Sequence, residues 1–154
     1  MKHDYNLFRT LVNYYSSDSN ISCILQVGST NDSSDKANDI DLLIVTAQAF
    51  DGLRFLKQID ILKNSRVYIL DNCVRVKTAR AAEISFAHFK KKYFLKSVFD
   101  LLNGKNIQRV NKSWAVGGFM PEVFLRDIKE SKILYMKDDE IDNIINLIKD
   151  GSIL

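Results

Sequence analysis

The chain has 154 residues, 46% of them hydrophobic and 27% charged, with a formal charge of +3 at neutral pH. That balance fits a single globular domain over 1–154 and argues against disorder or a disulfide-stapled scaffold. No apolar run approaches the ~20 residues of a membrane span, and Met1-Lys2-His3-Asp4-Tyr5-Asn6 leads into no signal-peptide core, so a cytoplasmic protein outside the membrane is expected.

Tyr5, Leu7, Phe8, Leu11, Val12 and Tyr15 recur at helical spacing, which predicts a helix over 5–16 broken by Ser16-Ser17-Asp18-Ser19-Asn20. Ile21 to Val27 is short, apolar and rich in β-branched residues, a buried strand that ends at Gly28-Ser29-Thr30. A polar loop over 31–38 leads to a second strand, Asp39 to Val45, whose nearly continuous apolar run suits burial on both faces. Helical spacing returns over 49–62, and strands come next at 66–70 and 73–78 around an Asp71-Asn72 turn.

Glu83 to Phe89 is a further strand and Lys90 to Leu102 a helix that stops near Asn103-Gly104. Trp114 to Met120 reads as a loop packed by Trp114 and Phe119, and Pro121 suits the first turn of the next helix. Ile133 to Met136 is a strand, and Asp138 to Lys149 a last helix with Ile141, Ile144, Ile145 and Ile148 on one face. The fold class is α/β, a mixed sheet with flanking helices. Cys23 and Cys73 lack metal-ligand spacing and read as buried thiols, and His88 as a strand-end residue with no partner histidine or cysteine nearby.

The chemistry concentrates where the first two strands meet. Alternate residues of a strand share a face, so Asp39 and Asp41 point the same way, roughly 7 Å apart. Two carboxylates side by side repel unless a cation is held between them, and oxygen-only ligands suit Mg²⁺ with substrate phosphates completing its shell. Gly28 lets the backbone approach a phosphate, and Ser29 and Thr30 add hydroxyl and N–H donors.

These residues resemble the nucleotidyltransferases of the DNA polymerase β superfamily, which carry Gly-Ser after an apolar strand and Asp-apolar-Asp about ten residues on. The matching residues are Gly28, Ser29, Asp39 and Asp41; Asn38 stands where small bacterial members often have Ser. Phe124 to Lys129 with Lys132 to Tyr135 also looks like the late helix-strand segment of small members. The resemblance implies a nucleotidyltransferase fold and a third acid. Glu83, flanked by Ala82 and Ile84, is preferred for it over Asp71.

The activity implied by the resemblance is metal-dependent transfer of a nucleoside monophosphate from ATP or another nucleoside triphosphate to a hydroxyl. Two Mg²⁺ ions, with Mn²⁺ as a substitute, would be held by Asp39, Asp41 and Glu83, and Gly28, Ser29 and Thr30 would bind phosphates. The acceptor is a small molecule, a protein or an RNA, and so short a chain leaves room for a partner protein or a homodimer to complete its pocket. A degenerate module that binds nucleotide or a partner without turnover is the alternative. A third reading, a basic nucleic-acid-binding domain, draws on Arg75, Lys77 and Arg80, on Lys90 to Lys92, and on Lys105, Arg109 and Lys112. The small net charge disfavours it.

Overall fold

Strands that are apolar on both sides need cover on both sides, and the fold supplies helices to each face of one sheet. The computed structural model describes residues 5–28, 39–70, 73–77, 83–104 and 121–153. The elements run α1 (Tyr5–Ser16), β1 (Ile21–Val27), β2 (Asp39–Thr46), α2 (Gly52–Lys57), β3 (Arg66–Leu70), β4 (Cys73–Lys77), β5 (Glu83–Lys90), α3 (Lys91–Leu102), α4 (Pro121–Lys129), β6 (Lys132–Met136) and α5 (Asp139–Lys149).

The sheet has six strands in the order β3-β4-β5-β2-β1-β6. β2 and β5 are parallel, and every other neighbouring pair is antiparallel. This is the mixed α/β arrangement with flanking helices that the hydrophobic patterning implies. The Asp71-Asn72 turn and the Trp114 to Met120 loop lie outside the described residues.

Alternation sorts the core into two layers. Ile24, Ile40, Leu42, Ile44, Val74, Val76, Ile84 and Phe86 face α1 and α2, which contribute Leu7, Leu11, Tyr15 and Leu56. Cys23, Leu25, Val27, Leu43, Val45, Ala87 and Phe89 face α3, α4 and α5, which contribute Phe94, Phe124, Ile141 and their neighbours. A register shift between Ile21 and Cys23 explains why Ile21 joins Ile24 on the α1 side despite its odd spacing. Both cysteines are buried thiols outside any disulfide, as their apolar surroundings imply.

The helix expected over 49–62 is shorter than its spacing suggests. Asp51 caps α2 by accepting from the Arg54 N–H at 3.0 Å, so the helix starts at Gly52. It stops at Lys57, because Ile59 is extended, with ψ 118°, and a 3-10 turn over Asp60–Leu62 comes after it. The break keeps Leu56, Ile59 and Leu62 buried while Ile61 remains half exposed. Helical spacing through Phe50, Leu53, Leu56, Ile59 and Ile61 located Leu56 and Ile59 but put Ile61 in place of Leu62 on the buried face and missed the interruption. At the other end of the chain, Asp138 caps α5 through the Ile141 N–H at 3.0 Å. Lys91 at the start of α3 reaches Asp138 at 2.8 Å and Glu140 at 3.0 Å, tying the two helix starts together.

Candidate functional site

The candidate site forms where β1 ends and β2 and β5 begin. The parallel register of β2 and β5 pairs Asp39 with Glu83 and Asp41 with Ser85. Across the antiparallel pair, Asp41 is opposite Val27, the last residue of β1. Asp41, Glu83 and Ser85 therefore lie at one end of the sheet face that α3, α4 and α5 cover further along.

Gly28 succeeds β1 with φ +83°, a conformation that L side chains rarely adopt. A Cβ added there would lie 2.8 Å from Oδ2 of Asp41. The glycine thus does two things. It turns the chain out of the strand, and it leaves room for the Asp41 carboxylate directly against the backbone. Ser29 and Thr30, the other expected phosphate contacts, lie outside the described residues, as do Asp71 and the side chain of Asp39. Among the described residues no three His, Cys, Asp or Glu side chains are grouped to hold a metal ion.

Glu83 has partners that sequence reasoning missed. Its Oε1 accepts from Nη1 of Arg75 at 2.9 Å, and its Oε2 accepts from the Tyr68 hydroxyl at 2.6 Å. The register explains the meeting: Lys77 pairs with Glu83 and Arg75 with Ser85, while Tyr68 pairs with Arg75 one strand further out. Burial works against a charge on Glu83, but the hydrogen bonds from Tyr68 and Arg75 outweigh it and hold the carboxyl below its ordinary range. The alternation of Arg75 and Lys77 with Val74 and Val76 puts both cations on one strand face. What it could not supply was the neighbour, because the β4–β5 pairing decides that Glu83 is the residue Arg75 meets.

His88 is not the strand-end residue expected, although its partner is neither a histidine nor a cysteine. It lies within β5, in register with Ile44, and its Nε2 is 2.8 Å from the Tyr15 hydroxyl. Its ring stacks with Tyr15, Phe50 and Phe86 at centroid distances of 5.8, 5.5 and 6.3 Å. A Cβ added to Gly52 would lie 2.2 Å from its Cε1, so the ring rests on the first turn of α2. The signal was present in the alternation: Ile84, Phe86 and His88 share one strand face, and the first two are buried. His88 is on the opposite face from Glu83 and takes no part in the candidate site.

No protein-family model matches the chain, and no curated protein does. Among solved structures, the chain is similar to a nucleotidyltransferase-like protein from Exiguobacterium sibiricum, at 13% sequence identity with a TM-score of 0.46. The likeness covers 94% of this chain but 38% of that one, so this chain spans well under half of that protein's length. It is a distant structural likeness, and the candidate site stands on its own geometry.

Proposed function

We propose that the chain is a metal-dependent nucleotidyltransferase, joining a nucleoside monophosphate from a nucleoside triphosphate to a hydroxyl of an acceptor. The observation that carries this reading is the Gly28–Asp41 contact. A left-handed glycine with a carboxylate at its backbone, at the end of a buried strand, is a cradle that any Cβ would fill. The backbone register that pairs Asp39 with Glu83 on neighbouring strands supports the same reading for the other two acids.

The donor set fits Mg²⁺, or Mn²⁺ in its place, because it is made of carboxylate oxygens. Asp39 and Asp41 would hold it, with Glu83 as the third acid. When bound, the metal supplies positive charge to the triphosphate and to the attacking oxygen. The chain's own residues do the rest. Gly28 admits the phosphates to the backbone, and Ser29 and Thr30 donate to the phosphate oxygens. The acceptor oxygen forms a bond to the α phosphorus as the bond from that phosphorus to the bridging oxygen breaks. Pyrophosphate leaves with the electron pair, and Glu83, as general base, receives the acceptor hydroxyl's proton. The acceptor pocket is completed by a partner protein or a second copy of the chain.

Asp41→Asn separates enzyme from binding module, since it removes one charge at nearly constant volume. Transfer of radiolabelled nucleotide to a cell extract should fall by about three orders of magnitude or more, because metal-held charge is worth several kcal/mol to the transition state. Folding, read by circular dichroism, should be unchanged. A variant that transfers as well as the wild type rules out the catalytic reading.

The engagement of both Glu83 oxygens by Arg75 and Tyr68 favours a second reading, a degenerate module that binds nucleotide without turnover. In that case the wild type binds triphosphate and transfers nothing to any acceptor.

A further inference from the structure

A third acid that serves a metal ion needs lone pairs to offer it. In Glu83 one oxygen is already bonded to a guanidinium and the other to a phenol hydroxyl. The clamp is built, not incidental. Arg75 is further braced by a bond from its Nε to the Leu70 carbonyl at 3.4 Å. Both ions of the Arg75–Glu83 pair are largely shielded, with side-chain exposures of 21% and 16%. A cation arriving at this carboxylate would face Arg75's positive charge across it. Metal and guanidinium are therefore competitors for the same group.

We infer that Arg75, with Tyr68 beside it, gates the third acid: it withholds Glu83 from the metal until the phosphate chain of a nucleoside triphosphate draws the guanidinium away. The inference rests on the nucleotidyltransferase reading proposed for this site. Three observations carry it. Both oxygens of the carboxylate are engaged from within the chain, one of them by a cation. Arg75 and Asp41 are both register partners of Ser85, one from each side. Their backbones are thus two strand spacings, about 10 Å, apart on the same face. A phosphate lodged between Gly28 and the acids would then be within a side-chain rotation of the guanidinium. Guanidinium groups match phosphate oxygens with two parallel hydrogen bonds, which makes a phosphate chain a strong rival to a single carboxylate contact. Loading would take place in order, with Glu83 released only when nucleotide is in place. A triphosphate-free chain would then hold its third acid in reserve.

The test uses the whole chain and two ligands separately. Mn²⁺ alone is titrated by electron paramagnetic resonance, and α,β-methylene ATP without metal by calorimetry, with circular dichroism as the check on folding. Arg75→Gln should bind Mn²⁺ about tenfold tighter, or with one more ion per chain, and the nucleotide about tenfold weaker. Adding Glu83→Gln to Arg75→Gln should erase the gain in metal binding. Opposite signs are the signature, since a residue that only supports the fold would weaken both ligands. Tyr68→Phe removes one of the two clamps and should give a smaller gain in Mn²⁺ binding, which keeps the test open if Arg75→Gln fails to fold. Metal binding that depends on Asp41 but is unchanged or weakened in Arg75→Gln overturns the gate and leaves the parent reading intact. Absence of Mn²⁺ binding in the wild type and every variant overturns both.

Discussion

Strand β5 carries two titratable residues that the protein treats in opposite ways. Glu83 stands on the face shared with Asp41 and meets a guanidinium and a hydroxyl, so it is held charged. His88 stands on the other face among Tyr15, Phe50 and Phe86, and burial pushes its pKa from 6.5 down to about 4, so it is held neutral. The nearby Asp51 opposes that shift but does not overcome it. The difference lies in the neighbours that pairing brings. β5 has β4 on one side, which delivers Arg75 to the polar end, and α1 and α2 across the other face, which deliver rings. One strand can therefore serve a polar site and a dry core at once, provided each group gets the partner its charge state requires.

Gly52→Ala should break the His88 side of this comparison with the largest effect on stability. The added methyl would lie 2.2 Å from Cε1 and 2.6 Å from Nε2 of His88. The ring cannot swing aside freely, because Tyr15 bonds it and three aromatic rings enclose it. Overpacking of this kind costs about 2–3 kcal/mol, although alanine is the better helix former. Urea unfolding should show the loss, whereas Mn²⁺ binding at the opposite face should be kept. Wild-type stability in the variant would mean that α2 does not bear on His88.

Much of this arrangement was legible in the sequence. Short buried strands with continuous apolar runs gave β1 and β2, and one isoleucine face gave α5, since in each case the local pattern and the tertiary burial coincide. The closeness of Gly28 to Asp41 was legible too, because β1 and β2 are consecutive strands that pair. Tyr68, Arg75 and Glu83 are a different case. They come from three strands, and nothing local says that β4 lies beside β5 or in what register. His88 is a simpler case, since its place in the alternation of Ile84 and Phe86 marks it for the interior rather than for a strand end. The break between α2 and the 3-10 turn was invisible because Leu56, Ile59 and Leu62 keep a helix-like spacing through it.

Acid should separate the two faces in sequence. The folded pKa of His88, about 4, is lower than its ordinary 6.5, so between those values the unfolded chain binds a proton that the folded chain refuses. Stability should hold above pH 6.5 and fall as pH drops toward 4, by up to about 3 kcal/mol at the lower end. His88→Phe keeps a ring in the nest and should flatten the slope in that window, as read from urea midpoints at a series of pH values. An unaltered slope in His88→Phe would assign the acid sensitivity to another group.

The smallest expected effect belongs to Glu83 and appears in a different part of the same titration. Its folded pKa lies below its ordinary 4.5, so the sign is that of a stabilised carboxylate. The contribution is present in full above about pH 4.5 and is lost as pH falls through the depressed folded value. Glu83→Gln keeps an oxygen that can accept from either Tyr68 or Arg75 but gives up the charge and one of the two contacts. A charge-assisted bond contributes roughly 1.5–3 kcal/mol, and with Arg75 part exposed and one contact retained the net loss near neutral pH should be about 1 kcal/mol. As pH falls through that depressed value the wild-type carboxylate takes up its proton, so the two proteins should converge. The His88 window, between 6.5 and about 4, should be the same in both. If Glu83→Gln instead proves more stable than the wild type at neutral pH, the desolvation of that carboxylate outweighs its bonds to Tyr68 and Arg75, and the clamp is too weak to withhold Glu83 from anything.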